Sequence, residues 1–515
     1  MTLGELAAHH GLSLQVDDSS RATRDEASGL QVSGVVLDNR AVLAGDLFAA
    51  LPGTHTHGVR FAASAVEAGA VAILTDEGGL DQALACGVPV LVSASDRSLR
   101  EVLAQLSAQV YGSPATALTT FGVTGTNGKT TTTFLLASLV ELLGRRPGLV
   151  GTVELRVGGQ VQASQMTTPE SPDLQAIVAT MVERGDTDLV MEVSSHAIEL
   201  HRADALAFDV AAFTHLSSDH LDFHGDQEGY FAAKAKLFTA QRASQAVICV
   251  DEKWGQRLAA ECEIPVTTLA TGGEGDLIAD WQVHDIVATA SGSEFTLTGP
   301  AGEIRTSVAL PGSFNVSNAA LAMVCLLASG VTLSELEVVL ARSDGLRASV
   351  PGRMEVVAQS PRCVVDFAHN ADALERALAA LRATTQGRLH VVFGATGERD
   401  TTKRAEMGRI AVLGADEVII TDDDPHGEDP ALIRAGVLEG ARAAQATAGG
   451  RGTVVHEIAP RAAAIAAAVA NAALNDSVLI AGRGHETIQE VAGVNLELDD
   501  RVEVLAAIAA REGSS

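Results

Sequence analysis

The sequence predicts an α/β protein of three domains, and three observations carry that expectation. The chain has 515 residues, too many for a single core, and domains of roughly 150 residues give about three. The segment TTFGVTGTNGKTTTTFLLASLVELLG, from Thr119 to Gly144, reads as a buried strand, a Gly-rich turn and an amphipathic helix. From Cys363 onward, short apolar runs alternate with helical stretches of about 10–15 residues, the pattern of a parallel sheet covered on both faces. The expected organisation is a small mixed α/β domain over 1–114, a central P-loop ATPase-like parallel-sheet domain over 115–345, and a C-terminal Rossmann-like, doubly wound domain over 346–515.

Taken in order, the first domain alternates strand-like runs (VSGVVLD, AVAILTD) with the helical stretch FAASAVEAGA. The central domain continues through DLVMEV and AVICV to a helix around Asn318 to Ala328, and ARSDGLRASVPGR is the candidate linker after it. The last domain offers strands CVVDFA, LHVVFGA, EVIITDD, TVVHEI and SVLIAG, with helices beginning near Asp372, Lys403, Pro430 and Pro460. Four polar clusters follow these strands: Asp366 with His369, Arg399 with Asp400, Asp423 with Asp424, and Arg483 with Glu486. Ligands of such sheets bind outside the carboxyl ends of the strands, so the clusters mark one edge as a site.

Composition narrows the function. A formal net charge of -29 argues against nucleic acid or an anionic membrane surface as partner, since both select clustered positive charge. The five cysteines, Cys86, Cys249, Cys262, Cys325 and Cys363, are scattered and form no CxxC pair, which fits a reducing compartment. The N-terminus lacks the basic and apolar regions of a signal peptide, and the run Ala462 to Ala470 is too short to span a bilayer. A cytoplasmic protein without membrane insertion is expected, acting on small molecules and as a monomer.

The chemistry begins at Gly125-Thr126-Asn127-Gly128-Lys129-Thr130-Thr131, set between strand and helix, where backbone N–H groups and the helix N-terminus can cradle phosphate oxygens. Lys129 would contact the terminal phosphates of ATP and Thr130 would reach Mg2+. The strict P-loop spacing is not met, because Val123 stands at its first glycine position and Gly122 lies one residue earlier. Such a turn speaks for a nucleotide and leaves the reaction open. Glu192 and His220 each follow a strand of the same domain, placed to complete a Mg2+ site.

In combination, TGTNGKT, EVSSHA and DHLDFHG…YFAAK resemble the Mur ligases, of the MurE type that extends UDP-N-acetylmuramoyl-L-Ala-D-Glu, and the resemblance covers nearly the whole chain. It implies that Thr130, Glu192 and His220 hold Mg2+ and that Lys234 carries an N-carbamate formed with carbon dioxide. A carbamate presents carboxylate-like oxygens to the metal where an ammonium would repel it. It implies nucleotide contacts for Asn315, Arg353, Asp366 and His369, with Asp366 on the ribose hydroxyls. Leu37 and Asn39 fall at the uridine position, and Thr167, Thr168, Ser194 and Arg202 at the muramoyl-peptide. Arg399 falls to the carboxylate of the incoming amino acid, and Gly482 and Glu486 to its distal end. The chain departs from the family at His215, where asparagine is usual, at Asn39 for serine, and at Leu200 for glutamine.

Ligases of this family that add meso-diaminopimelate typically carry Asp-Asn-Pro-Arg, whose arginine reads the second carboxylate. This chain has Asp423-Asp424-Pro425-His426. The missing arginine should cost the diacid about 1.5–3 kcal/mol, roughly tenfold or more in discrimination. Acidic Asp424 favours a distal ammonium, so L-lysine is the expected substrate, with L-ornithine or diaminopimelate as alternatives; protonated His426 is the group of the run that could meet a carboxylate.

The implied reaction is ATP-dependent: an acyl phosphate forms on the D-Glu γ-carboxylate, then the amino acid's amine displaces phosphate. Closure of the nucleotide domain against the domain bearing Arg399 is expected, hinged at Ser343 to Pro351. Rival readings are the MurF, MurD or folylpolyglutamate synthase substrates within the ligases, and outside them a P-loop switch or regulatory ATPase.

Overall fold

The computed structural model describes residues 1–17, 23–53, 56–94, 97–272, 278–289, 291–398, 400–447 and 452–513. Three sheets organise the chain, one per domain. The N-terminal sheet orders its strands Ser13–Gln15, Val90–Ser93, Ala72–Asp76, Asp46–Ala49 and Gly34–Val36, and only the first pair is antiparallel. The apolar side chains of these strands, such as Leu47, Leu74 and Leu91 on one face and Phe48 and Ile73 on the other, fill two cores.

The central sheet has 11 strands. Its middle is parallel, with Thr119–Thr124 between Asp188–Glu192 and Phe208–Phe213. At both edges antiparallel strands extend this parallel middle: Gly292–Gly299 and Gly302–Val308 on one side, Glu154–Val157 and Gln160–Ala163 on the other. Edge strands of this kind alternate apolar and polar residues over a half-exposed surface, a weaker signal than the continuous apolar runs of buried strands. Strand Thr119–Thr124 shows that contrast, since Phe121 and Val123 point to one core and Gly122 lets Phe208 lie against the backbone on the other. The helix Lys129–Leu142 is buried on most of its surface, its four threonines included, because it packs against both the sheet and the helix Ser313–Ala328. Burying each of its leucines fully is worth about 1.5–3 kcal/mol.

The C-terminal sheet carries the five strands read from the sequence in the order Arg362–Asp366, Ser477–Ala481, Leu389–Phe393, Glu417–Ile420, Val454–Glu457, all parallel. An antiparallel strand, Glu355–Gln359, is added at one edge, and a separate hairpin, Ile488–Val491 with Val494–Glu497, packs beside the strand ends. No helix among the described residues is long and apolar enough to cross a membrane.

One buried ion pair ties this domain together behind its strand ends. Arg461 and Asp500 are both fully buried and pair at 2.7 Å, while the same guanidinium donates to the carbonyls of Asp422 and Ala481. It thereby joins the helices Arg461–Asn471 and Asp500–Gly513 to two strand-end loops. Removing one partner strands the other charge in the interior. R461A should therefore lose about 3–5 kcal/mol of stability in chemical denaturation; a loss under about 1 kcal/mol would contradict this role.

Candidate active site

The turn after strand Thr119–Thr124 can only be built with glycine at two places. Gly125 has φ +145°, and a Cβ there would stand 1.8 Å from Thr214 Oγ1; Gly128 has φ +90°, with Asn318 Oδ1 only 2.5 Å from its Cβ position. Neighbouring side chains hold the loop closely. Thr126 N–H donates to the His215 carbonyl at 2.8 Å, Ser217 N–H donates to Thr126 Oγ1 at 3.0 Å, and Thr214 Oγ1 donates to the Asn127 carbonyl at 2.7 Å.

Two lysines converge beneath the loop. Lys129 Nζ donates to the carbonyls of Gly125 at 2.9 Å and Thr126 at 2.8 Å, and Lys234 Nζ donates to the same Gly125 carbonyl at 2.8 Å. Lys234 is 1% exposed, and its amine sits 4.4 Å from the centre of the Tyr230 ring. Burial lowers the pKa of both amines, and for Lys234 the Lys129 charge lowers it further.

At the end of strand Asp188–Glu192, Glu192 is fully buried and accepts from Thr130 Oγ1 at 3.0 Å and from Thr152 N–H at 2.7 Å. His220 adopts a left-handed conformation, φ +52°, and its ring packs edge-on against His196, with centroids 4.9 Å apart. Partial desolvation, with the charges of His196 and Lys129 nearby, holds its half-exposed imidazole down to about 4. Among the described residues no three His, Cys, Asp or Glu side chains stand close enough to hold a metal alone. Mg2+ is usually bound by one or two carboxylates together with substrate phosphates and waters, so Thr130 and Glu192 beneath a phosphate cradle fit that ion.

A cleft of about 470 Å3 opens over this turn and is closed from the other side by the C-terminal domain. Arg353 reaches across to Thr130 Oγ1 at 3.5 Å and lies flat over Phe367, 4.3 Å from the ring centre. Asp366, at a strand end, accepts from Met354 N–H at 2.6 Å, and burial raises its carboxyl to about 6. His369 and Asn315 line the same cleft, as do Thr167 and Ser194, whereas Gly125 and Lys234 lie beneath its floor.

Asp219 was not singled out in the sequence, although it lies inside the DHLDFHG run. It faces His369 at 3.6 Å and accepts from Asn370 Nδ2 at 3.3 Å; burial alone would raise its pKa, but the hydrogen bond and charge of His369 hold it far below the usual carboxylate range. Beside the cleft, Thr168 Oγ1 donates to the Glu192 carbonyl at 2.9 Å. Arg202 pairs with Glu170 at 2.9 Å, and Glu170 also meets Arg100 of the N-terminal domain at 2.8 Å. Leu37 and Asn39 stand apart from the cleft, in the loop after strand Gly34–Val36, where Asn39 Nδ2 donates to Ser64 Oγ.

The residues that the resemblance gave to the incoming amino acid form a second group outside the cleft. Asp423 is buried, accepting from Thr396 Oγ1 at 3.3 Å, and Gly482 is required because a Cβ there would stand 2.4 Å from Asp423 Oδ2. Glu486 lies close by, and burial with Asp423 beside it raises its carboxyl to about 8. Asp424, read from sequence as acidic, already has partners within the protein: Arg483, fully buried, forms an ion pair with it, and Glu490 N–H donates to the same carboxylate at 3.1 Å. His426 is likewise engaged, its Nδ1 2.8 Å from Glu490 Oε2. Arg399 lies outside the described residues.

Comparison with known proteins agrees with this architecture. Residues 31–111 match the model for the Mur ligase family, catalytic domain, residues 123–326 the Mur ligase middle domain, and residues 352–484 the Mur ligase, glutamate ligase domain. A UDP-N-acetylmuramoyl-L-alanyl-D-glutamate--2,6-diaminopimelate ligase of Streptomyces coelicolor is 44% identical over 94% of each chain. A UDP-N-acetylmuramyl-tripeptide synthetase of Leifsonia xyli is 43% identical over 93% of this chain and 92% of its own. A solved structure of a UDP-N-acetylmuramoyl-L-alanyl-D-glutamate--2,6-diaminopimelate ligase superposes with a TM-score of 0.66 at 29% identity, covering 99% of both chains. A MurF structure from Acinetobacter baumannii, at 19% identity and TM-score 0.64, shares the fold. An ATP-dependent ligase is what this fold and nucleotide site define. The chain belongs to the Mur ligase family and is of its MurE type.

Proposed function

We propose that the protein adds meso-diaminopimelate to UDP-N-acetylmuramoyl-L-alanyl-D-glutamate, through an acyl phosphate, in the synthesis of peptidoglycan precursor in the cytoplasm. The observation that carries the amino acid is the 44% identity, over nearly the full length, to relatives named as diaminopimelate ligases. The Asp424–Arg483 pair supports it, because a carboxylate already neutralised has little left to attract a distal ammonium. Lysine, or its shorter homologue ornithine, is the second reading, favoured by the absence of arginine at 423–426.

In this reading Gly125 to Thr131 and Lys129 bind the ATP phosphates, Arg353 reaches the transferring end, and Asp366 holds the ribose. Asn315 and His369 complete the nucleotide site. Thr130, Glu192 and His220 would hold Mg2+, which neutralises phosphate charge when bound. Arg202 and Ser194, with Thr167 and Thr168, orient the muramoyl-peptide, and Leu37 and Asn39 its uridine. The D-Glu γ-carboxylate oxygen attacks the γ-phosphorus and ADP leaves; the amine nitrogen then attacks the acyl carbon, the C–O bond to phosphate breaks, and the amine proton passes to the departing phosphate or solvent. Positioning and preorganised charge carry the rate, so no protein nucleophile is needed. Arg399 and Gly482 belong with the incoming amino acid on this reading.

The Lys234 carbamate rests on its setting: a buried amine with depressed basicity, bonded to a carbonyl and beside a second lysine, is the neutral nucleophile that carbon dioxide requires. Protein supplied with 13C-bicarbonate should show one carbamate carbon by NMR that disappears in K234A; an identical spectrum in the two would refute the modification. For the reaction, ADP release should require both the muramoyl-dipeptide and an amino acid, with diaminopimelate preferred over lysine and ornithine by about tenfold or more. Preference for lysine or ornithine would overturn the choice of amino acid, and turnover without either substrate would overturn the ligase.

A further inference from the structure

The helix Ala371–Arg382 of the C-terminal domain presents its first turn directly to the phosphate loop of the central domain. Asp372, on that turn, accepts through Oδ2 from three donors: Asn127 Nδ2 at 3.1 Å, His215 Nε2 at 3.3 Å and Ser217 Oγ at 3.4 Å. Its Oδ1 accepts from Arg376 Nε at 2.8 Å. Asn370, the N-cap of the same helix, donates to Asn127 Oδ1 at 3.3 Å, so both ends of the Asn127 amide are held by one helix turn. His215 and Ser217 belong to the neighbouring loop, whose backbone bonds Thr126. Asp372 is therefore the point where the phosphate loop, the loop beside it and the opposite domain meet.

We propose that Asp372 is a positioning residue for ligation: it clasps the C-terminal domain onto the phosphate loop, fixing Asn127 and holding Arg353 and Asp366 in register with the bound nucleotide. The geometry favours an ionised group, because a carboxylate can accept at all its lone-pair sites while a helix N-terminus adds favourable potential. The basicity of Asp372 agrees: burial would raise it, but His215 and Arg376 hold the carboxyl well below its ordinary range. His215 is the residue at which this chain departs from the asparagine usual in its family. Asparagine at that position also carries an N–H donor, so the clasp needs a donor there and does not need imidazole.

The test uses the full-length enzyme, ADP release with the muramoyl-dipeptide, and whichever amino acid supports turnover, so that it does not hang on diaminopimelate. D372A should raise KM for ATP by roughly ten- to hundredfold while lowering kcat less, since charge-assisted hydrogen bonds to one nucleotide-binding loop are lost. Small-angle scattering with a non-hydrolysable ATP analogue and the muramoyl-dipeptide should show a larger radius of gyration for D372A than for the unaltered enzyme. H215N should keep KM within about threefold, as a conservative rescue of the donor, whereas H215A should not. Should D372A fold poorly, D372N, H215A and the double variant carry the test: their effects on KM should be less than additive. Unchanged KM and scattering, additive effects, or equal behaviour of H215N and H215A would overturn the clasp.

Discussion

Two buried amines share one backbone carbonyl, and most of the central domain is arranged around that fact. Lys129 and Lys234 both end at Gly125 O, in a place where water is scarce and like charges repel. Such a pair is tolerable only if one amine is neutral or an anion joins them. The turn provides for the anion: its glycines admit backbone N–H groups where any side chain would collide with Thr214 or Asn318, and the helix behind it contributes its dipole. Glu192, clamped by Thr130 and Thr152, supplies the balancing negative charge at the side where a cation would sit.

The other domains extend this centre outward through charged contacts. Glu170 joins Arg202 of the central domain to Arg100 of the N-terminal one, so the segment following Thr167 and Thr168 is tied to the N-terminal domain. On the opposite side the C-terminal sheet turns its strand ends toward the cleft, bringing Asp366, His369 and Asp372 to the phosphate loop. Arg461 and Asp500 stiffen those strand ends from behind, at the carbonyls of Asp422 and Ala481. Both boundaries of the central domain are thus bridged by charge-assisted bonds, which lock geometry more sharply than apolar contact.

What could be read from the sequence follows signal strength. The five parallel strands of the last domain and the turn at Gly125 were legible because fully buried strands give unbroken apolar runs and a phosphate turn demands glycine at fixed spacing. The antiparallel edges, Glu355–Gln359 among them, were not, since half-exposed strands carry mixed residues. Asp372 had no local mark beyond its place in a helix's first turn; its meaning depends on Asn127 and His215, distant in sequence. The partner of Asp424 was hidden for the same reason, Arg483 lying 59 positions away. Local patterns reveal groups, while the state of a group depends on neighbours that only folding supplies.

On the proposed function, the Lys129 turn holds the ATP γ-phosphate against the substrate carboxylate until the two react. The most direct measurement labels the D-Glu γ-carboxylate of the muramoyl-dipeptide with 18O and follows the label through one turnover. With both carboxylate oxygens labelled, one 18O atom should appear in each phosphate released, carried over when the amine displaces it. Phosphate free of label, with the expelled 18O recovered in water or in AMP instead, would show that the carboxylate never bonded to the γ-phosphorus and would contradict that function.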